Sequence, residues 1–282
     1  MYIPGGPCIL SGVTYNPCTA TTNLDQRRRL ILTRPTDGLY FSSISATDDG
    51  GIASYNALQL SLRRRVSRGV TVSGNYTWSH CIGDTPGGSV NPGTGYTDPN
   101  NRRADTGNCA ADRRHIFNLS AVTETPQFSQ RTLRAVASGW KLSGIFRKSS
   151  GSFLTVTSGR DQAFTGINNQ RPDQVLGNPY GDRSSITNYL NAAAFVVPAA
   201  GKNGFVGRAN IEGPGTFQFD AALSRIFEVR EGQRLEVRAE AFNVTNSLRR
   251  DNPATNLIQS TFGQTTTAAD PRILQFALKY VF

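Results

Sequence analysis

Leu274-Gln275-Phe276-Ala277-Leu278-Lys279-Tyr280-Val281-Phe282 alternates large apolar residues with smaller or polar ones. Alternation with a period of two is the signature of a β-strand whose two faces meet different surroundings. The face carrying Leu274, Phe276, Leu278, Tyr280 and Phe282 is wholly apolar and ends in two aromatics. A strand that faces hydrocarbon and reaches an interfacial aromatic girdle has this pattern.

The rhythm recurs upstream. Leu235, Val237, Ala239 and Ala241 alternate with Arg234, Glu236, Arg238 and Glu240. Phe217, Phe219, Ala221 and Leu223 alternate with Gln218, Asp220, Ala222 and Ser224, and Trp140, Leu142, Gly144 and Phe146 with Lys141, Ser143, Ile145 and Arg147. Phe117, Leu119 and Ala121 form a shorter run. Val70, Val72, Gly74, Tyr76 and Trp78 form a long one, and Leu58, Leu60 and Leu62 complete seven segments. Residues 1–54 supply at most one further strand, over Arg29–Ser42, interrupted by Pro35 and Gly38.

Seven such segments could also build a soluble sandwich with the apolar face inside. The links argue otherwise. Short ones, Arg64–Gly69 and Glu228–Gln233, alternate with long ones, Cys81–Arg113, Ser150–Gly215 and Thr245–Arg272. Tight turns at one end and long loops at the other characterise outer-membrane barrels, and loops of this length are otherwise uncommon. The link Glu124–Ser138 falls on the short-turn side but exceeds a minimal turn. A ten-residue strand rises ~33 Å and, tilted by ~45°, spans roughly 25 Å, the height of the apolar band. The expected fold is therefore all-β, an antiparallel transmembrane β-barrel present in part. About seven to eight strands cannot close by themselves, because an open edge in lipid leaves backbone groups unpaired.

Composition narrows the alternatives. Hydrophobic residues make up 38% and Met occurs once, too apolar for disorder and lacking the Leu- and Ala-rich runs of a helical protein. The longest apolar run, Ala192–Val197, stops at Pro198, far short of the ~18 residues of a membrane helix. Met1-Tyr-Ile-Pro-Gly-Gly shows no basic region followed by an apolar one. An exported barrel needs such a leader, so the chain is expected to be part of a longer one. The formal charge of +10 raises the question of nucleic acid. The basic residues are dispersed, however, and no recognition motif accompanies them, so no nucleic-acid partner is expected. The dense runs, Arg27–Arg29 and Arg63–Arg65 among them, read as solvated loops and turns.

Cys8 with Cys18, and Cys81 with Cys109, fall as two separated pairs without zinc-site spacing. Local disulfides in an oxidising compartment are the favoured reading, free thiols the alternative. No hydrolase elbow, phosphate loop, dinucleotide fingerprint or zinc-protease motif occurs, so neither catalysis, a cofactor nor a resident metal is expected. His115 after Asp112 reads as a strand-entry residue. The loop with Asp98, Asn100, Asn101, Asp105, Asn108 and Asp112 lacks EF-hand spacing. It reads as a turn-rich polar loop, with calcium binding as the alternative.

Several segments resemble a known family. Tyr55-Asn-Ala-Leu-Gln-Leu-Ser-Leu-Arg-Arg-Arg with Asn75-Tyr-Thr-Trp-Ser-His, Ala111-Asp-Arg-Arg-His-Ile-Phe-Asn, and Gly139-Trp-Lys-Leu-Ser-Gly-Ile-Phe resemble hairpins of the Oar-like TonB-dependent transporters. Asn191-Ala-Ala-Ala-Phe, Phe205-Val-Gly-Arg-Ala-Asn, Arg238-Ala-Glu-Ala-Phe-Asn-Val-Thr-Asn and Pro271-Arg-Ile-Leu-Gln-Phe follow in the family's order. The resemblance covers about residues 50–282 and implies the C-terminal part of a barrel of about twenty-two strands. It also implies an N-terminal plug and a TonB-contacting segment elsewhere in the parent, location in the bacterial outer membrane among lipid and lipopolysaccharide, and uptake or export of an unidentified substrate.

On that reading residues 1–54 form an extracellular loop with a possible strand remnant, and 55–282 the C-terminal barrel strands. Phe276, Leu278, Tyr280 and Phe282 match the terminal signal recognised by the barrel assembly machinery. Lys141, Arg147, Asp220, Arg234, Glu236, Arg238, Glu240 and Lys279 are expected to face the lumen, pairing with one another or with a plug. The rival is a non-transporting adhesin or surface interaction barrel whose long loops bind partners.

Overall fold

In a computed structural model, the chain is described over residues 2–41, 44, 49–66, 69–84, 96–98, 101–167 and 170–282. The seven expected segments are seven long strands: β1 (Ala53–Val66), β2 (Val70–Gly83), β3 (His115–Glu124), β4 (Trp140–Ser149), β5 (Thr216–Arg230), β6 (Gln233–Phe242) and β7 (Ile273–Val281). Each lies antiparallel beside its sequence neighbour, so one sheet runs in chain order from β1 to β7. A two-residue strand, Gly107–Asn108, pairs with the end of β2. Among the described residues β1 and β7 each have a strand on one side only, and the sheet does not close into a barrel.

Register carries the apolar pattern across every strand. Residues directly opposite in an antiparallel pair share a face. Leu62 lies opposite Gly74, Gly74 opposite Leu119, Leu119 opposite Phe146, and Phe146 opposite Phe219. Two residues along, Ala221 leads through Ala241 to Leu274. One slip would move an entire strand's apolar set to the polar side; none occurs along this path. The apolar face is banded. Tyr76, Trp78, Phe117, Phe146 and Phe217 lie towards the long-loop end, with Phe146 edge-on to Phe117 and Phe217 at 5.7 and 5.2 Å between centroids. Trp140, Phe227 and Tyr280 lie towards the turn end, and Gly, Ala, Val and Leu, with Phe276 among them, fill the middle. The ten steps from Phe217 to Phe227 along β5 rise about 34 Å, which a ~45° tilt reduces to the height of an outer-membrane apolar band.

The turn end is compact. β5 and β6 are joined by Glu231-Gly232, with Gly232 at φ +77°, a left-handed conformation that a Cβ would strain. A bulge between Glu228 and Arg230 increases the local twist. The longer link between β3 and β4 contains a helix, Arg131–Ala137.

At the other end the long loops fold together as a head, which holds the chain's buried apolar core. Val156, Tyr189, Leu190, Phe195, Val206 and Ile211 are closed from solvent, with Leu257 and Phe262 of the β6–β7 loop packed on them. Backbone hydrogen bonds stitch the two loops, Leu257 N–H to Thr157 O at 2.8 Å and Tyr189 N–H to Gly263 O at 2.8 Å.

Three expectations are corrected. The possible strand Arg29–Ser42 is, as far as Phe41, two short helices, Arg29–Thr33 and Pro35–Gly38. Pro35 sets a helical φ at the first turn of the second, and the Thr33 hydroxyl donates back to Arg29 O at 2.9 Å. Arg27 is not solvated but fully buried. Its guanidinium donates to Asn23 Oδ1, Ala20 O and Phe164 O at 2.8, 2.9 and 3.3 Å, fastening the N-terminal segment to the head. Arg63–Arg65 lie within β1 rather than in a turn; Arg64 is opposite Val72 on the apolar face near its turn end, where a long side chain reaches the interface.

Candidate functional site

The polar face of the sheet gathers the expected lumen charges. Lys141, Arg147, Asp220, Arg234, Glu236, Arg238, Glu240 and Lys279 all sit on the face opposite Leu142, Phe146, Val237 and Leu278. Neighbouring strands place opposite charges face to face. Glu236 is opposite Lys279, Arg234 opposite Glu228, and Lys141 opposite Glu124. Arg238 and Glu240, two residues apart on one strand, are ion-paired through Nη2 and Oε1. A groove of about 510 Å³ lies over this field towards the turn end, lined by Glu124, Lys141, Glu236 and Arg238. Exposed pairs of this kind contribute little to stability, roughly 0–1 kcal/mol each. They give this face of the sheet an alternating charge pattern.

Asp220 has a different task. Its Oδ1 accepts from Asn243 N–H at 2.9 Å and from Gln218 Nε2 at 2.8 Å, while Gln218 Oε1 accepts from Arg249 at 2.6 Å. That chain fixes the exit of β6 into the head. It rests on Asn243 in the left-handed region, φ 52°, which asparagine tolerates.

The terminal strand presents its aromatic face openly. Phe276, Leu278, Tyr280 and Phe282 are 78, 71, 49 and 92% exposed, and among the described residues β6 is the one strand paired with β7. Opposite Phe276 and Leu278 stand Ala239 and Val237, so the face is relieved by small neighbours that leave the aromatics standing proud.

Both cysteine pairs are bonded, Cys8 to Cys18 and Cys81 to Cys109. The second ties the end of β2 to the following loop, where Cys109 N–H donates to Cys81 O at 3.1 Å. The polar loop after β2 uses its carboxylates internally. Asp105 accepts from Thr97 N–H and hydroxyl at 2.6 and 2.8 Å and pairs with Arg171 at 2.8 Å. Asp112 accepts from the Ser79 hydroxyl at 2.7 Å and from Cys81 N–H at 3.2 Å. These bonds use the two carboxylates to brace the loop, and Asn100 lies outside the described residues. Among the described residues no group of three or more metal-ligating side chains assembles. His115 sits on the apolar face at the loop end, its Nδ1 2.8 Å from Tyr76 Oη, while Asp112 is turned to Ser79; the two form no relay.

Sequence reading missed the groups that hold the head. Arg171 is lowered from its ordinary pKa, first by burial, with Asp105 opposing. Arg208, also lowered first by burial, donates to Asp105 O at 3.3 Å. Tyr189 is pushed up by burial while its hydroxyl donates to Glu212 O at 2.8 Å and accepts from Arg183 Nε at 3.3 Å. Nothing periodic marks these residues. Arg225 was missed as well, although a signal for it was present: after Phe217, Phe219, Ala221 and Leu223, the same alternation puts a guanidinium on the apolar face, where a charge requires cover.

An open antiparallel sheet with one face apolar, banded by aromatics and registered across seven strands, and the other charged, is built to stand between hydrocarbon and water. No curated protein gives a significant match to the chain. Residues 6–275 match the outer membrane beta barrel domain family. The chain belongs to that family, an outer membrane beta barrel domain of the bacterial outer membrane.

Proposed function

We propose that these strands are the C-terminal part of the barrel of an Oar-like TonB-dependent transporter, whose parent moves a substrate across the outer membrane. The observation that carries this reading is that, among the described residues, β1 and β7 each have one edge without a strand partner. Strands alternate in direction and there are seven, so β1 and β7 run the same way and antiparallel closure needs an odd number of strands between them. In lipid those edges must be paired. A barrel of about twenty-two strands, as the family resemblance implies, supplies roughly fifteen, an odd number. In such a barrel the charged groove faces the lumen and meets a plug, the head stands outside where substrate is first met, and contact with TonB comes from other parts of the parent.

The β7 aromatics would then be read by the barrel assembly machinery by strand addition, and lipopolysaccharide would surround the loop end. The reading assigns the chain no catalytic step. Heat-modifiable electrophoresis tests it, comparing the chain in detergent micelles with the longest reading frame that contains it, followed by binding of the longer form to purified TonB. A fast-migrating folded band and TonB binding for the longer polypeptide are expected. A compact, heat-modifiable monomer from the chain alone would sink the proposal in favour of a small adhesin-like barrel.

A further inference from the structure

The link between β3 and β4 holds its helix against the apolar face. Trp140, Arg225 and Phe227 all project from that face, since Arg225 is opposite Trp140 and two residues from Phe227. Arg225 donates to the last carbonyls of Arg131–Ala137, to Ala135 O at 2.6 Å, Val136 O at 3.0 Å and Arg134 O at 3.5 Å. Trp140 Nε1 donates to Val136 O at 2.8 Å. The same guanidinium lies 5.5 Å from the Trp140 ring and 4.6 Å from the Phe227 ring. A cation at a helix C-terminus meets the negative end of its dipole, and over an aromatic ring it meets the negative ring face. Arg225 thus satisfies its own charge beside the lipid-facing band by holding a helix in place.

The clamped helix turns outward a mixed surface. Leu133 and Val136, on one side of the helix, are 45 and 66% exposed, and Arg131 is exposed on the other side. Arg134 is also exposed, its guanidinium donating to Phe128 O at 2.9 Å and Ser129 O at 3.0 Å, and the buried Ser138 hydroxyl accepts from Phe128 N–H at 2.9 Å. The link is therefore a folded unit, located at the turn-end aromatic band. Two apolar side chains with a cation, at the level where aromatics mark the edge of hydrocarbon, match a helix lying in the plane of an interface.

We infer that residues 126–138 form an interfacial anchor on the turn-end leaflet, with Leu133 and Val136 among the upper acyl segments and Arg131 at the phosphates of anionic phospholipid headgroups. The inference rests on the apolar face meeting lipid, and its occupant is continuous with that surface. The Arg225–Trp140 clamp sets its depth.

Spin labels at Leu133→Cys, Val136→Cys and Arg131→Cys test it in the longest reading frame that contains the chain, reconstituted in vesicles of phosphatidylethanolamine and phosphatidylglycerol. All four cysteines of the present chain are in disulfides, so none of them competes for the label. The ratio of collision with oxygen to collision with a water-soluble nickel chelate is expected to be several-fold higher at 133 and 136 than at 131. Leu278→Cys on β7 reports the lipid face itself. Water-like values at 133 and 136 with a lipid-like value at 278 overturn the anchor; water-like values at all four overturn the membrane reading of the face. Arg225→Ala is expected to raise label mobility at 136, and unchanged mobility overturns the clamp. Arg131→Glu is expected to lower the ratio at 136 at least twofold with phosphatidylglycerol present and leave it unchanged in neutral vesicles; equal ratios in both overturn the assignment of Arg131 to anionic headgroups.

Discussion

Ile211→Ala probes whether the head has a core of its own. Ile211 is fully buried and lies opposite Leu154 in a two-residue ladder, within the cluster that includes Val156, Tyr189 and Val206. Truncating a buried Ile costs about 2–5 kcal/mol, and the figure depends on how far the surroundings collapse into the space. Collapse is restricted here, because the adjoining Glu212 is held on both sides: its N–H donates to Tyr180 Oη at 2.9 Å, and its carbonyl accepts from Tyr189 Oη at 2.8 Å. The upper part of the range follows, about 3–5 kcal/mol, or more than ~100-fold greater population of an opened head. Limited trypsin digestion of outer-membrane fragments reads that population, because Arg160, Lys202 and Arg208 lie in the same loop and cleavage follows local opening. Leu278→Ala, on the exposed face of β7, removes a similar side chain and is expected to leave head cleavage unchanged. Cleavage of Ile211→Ala within threefold of wild type would refute a cooperatively packed head, and the long loops would then be independent of one another.

Three further expectations follow from named groups. Burial raises the Tyr189 pKa above its ordinary value of about 10, so the head's stability is complete below that pH and is lost as pH rises through the folded-state value; alkaline titration of head proteolysis should show this limb in wild type and lose it in Tyr189→Phe. Replacing Cys81 and Cys109 together by Ser removes a link across a separation of 28 residues, worth about 3.5 kcal/mol of chain entropy; hydrogen exchange should quicken at Cys109 while β3–β6 amides hold, and faster exchange throughout the sheet would contradict a local role. Leu119→Arg puts a charge in the middle of the apolar band and should cost about 2–4 kcal/mol in lipid, whereas Ser120→Arg on the opposite face should cost far less; equal losses in urea titration from vesicles would mean the two faces were assigned the wrong way.

The seven strands were legible because each must solve the same problem, hydrocarbon on one side and water on the other, and that problem writes a period of two into the residues. The strands run further than the pattern. β1 and β2 continue pairing to Ala53 and Gly83, through Asn56 opposite His80 and Tyr55 opposite Cys81. Towards the loop end no face has to be apolar, so backbone hydrogen bonds extend the ladder without leaving a mark in the sequence. The run Arg29–Thr33 shows the converse. Its Leu, Ile and Thr look like strand, but a five-residue helix needs only local bonds, and Pro35 and the buried Arg27 decide the matter from either side.

The head was illegible for a different reason. Its core residues lie at irregular intervals, and Arg27 finds a carbonyl acceptor 137 residues away. Only tertiary contact makes these positions core, so period and propensity are silent about them. Arg225 lies between the two cases. The alternation that located β5 also put a charge among its apolar side chains, a contradiction within a single strand that something outside the strand must resolve. The helix before β4 supplies that resolution, and its carbonyls, the Trp140 ring and the Phe227 ring converge on one guanidinium. A break in a well-kept period therefore carried more information about a specific contact than the regular positions around it, because a regular position is satisfied by lipid in general and a cation on the apolar face only by particular partners.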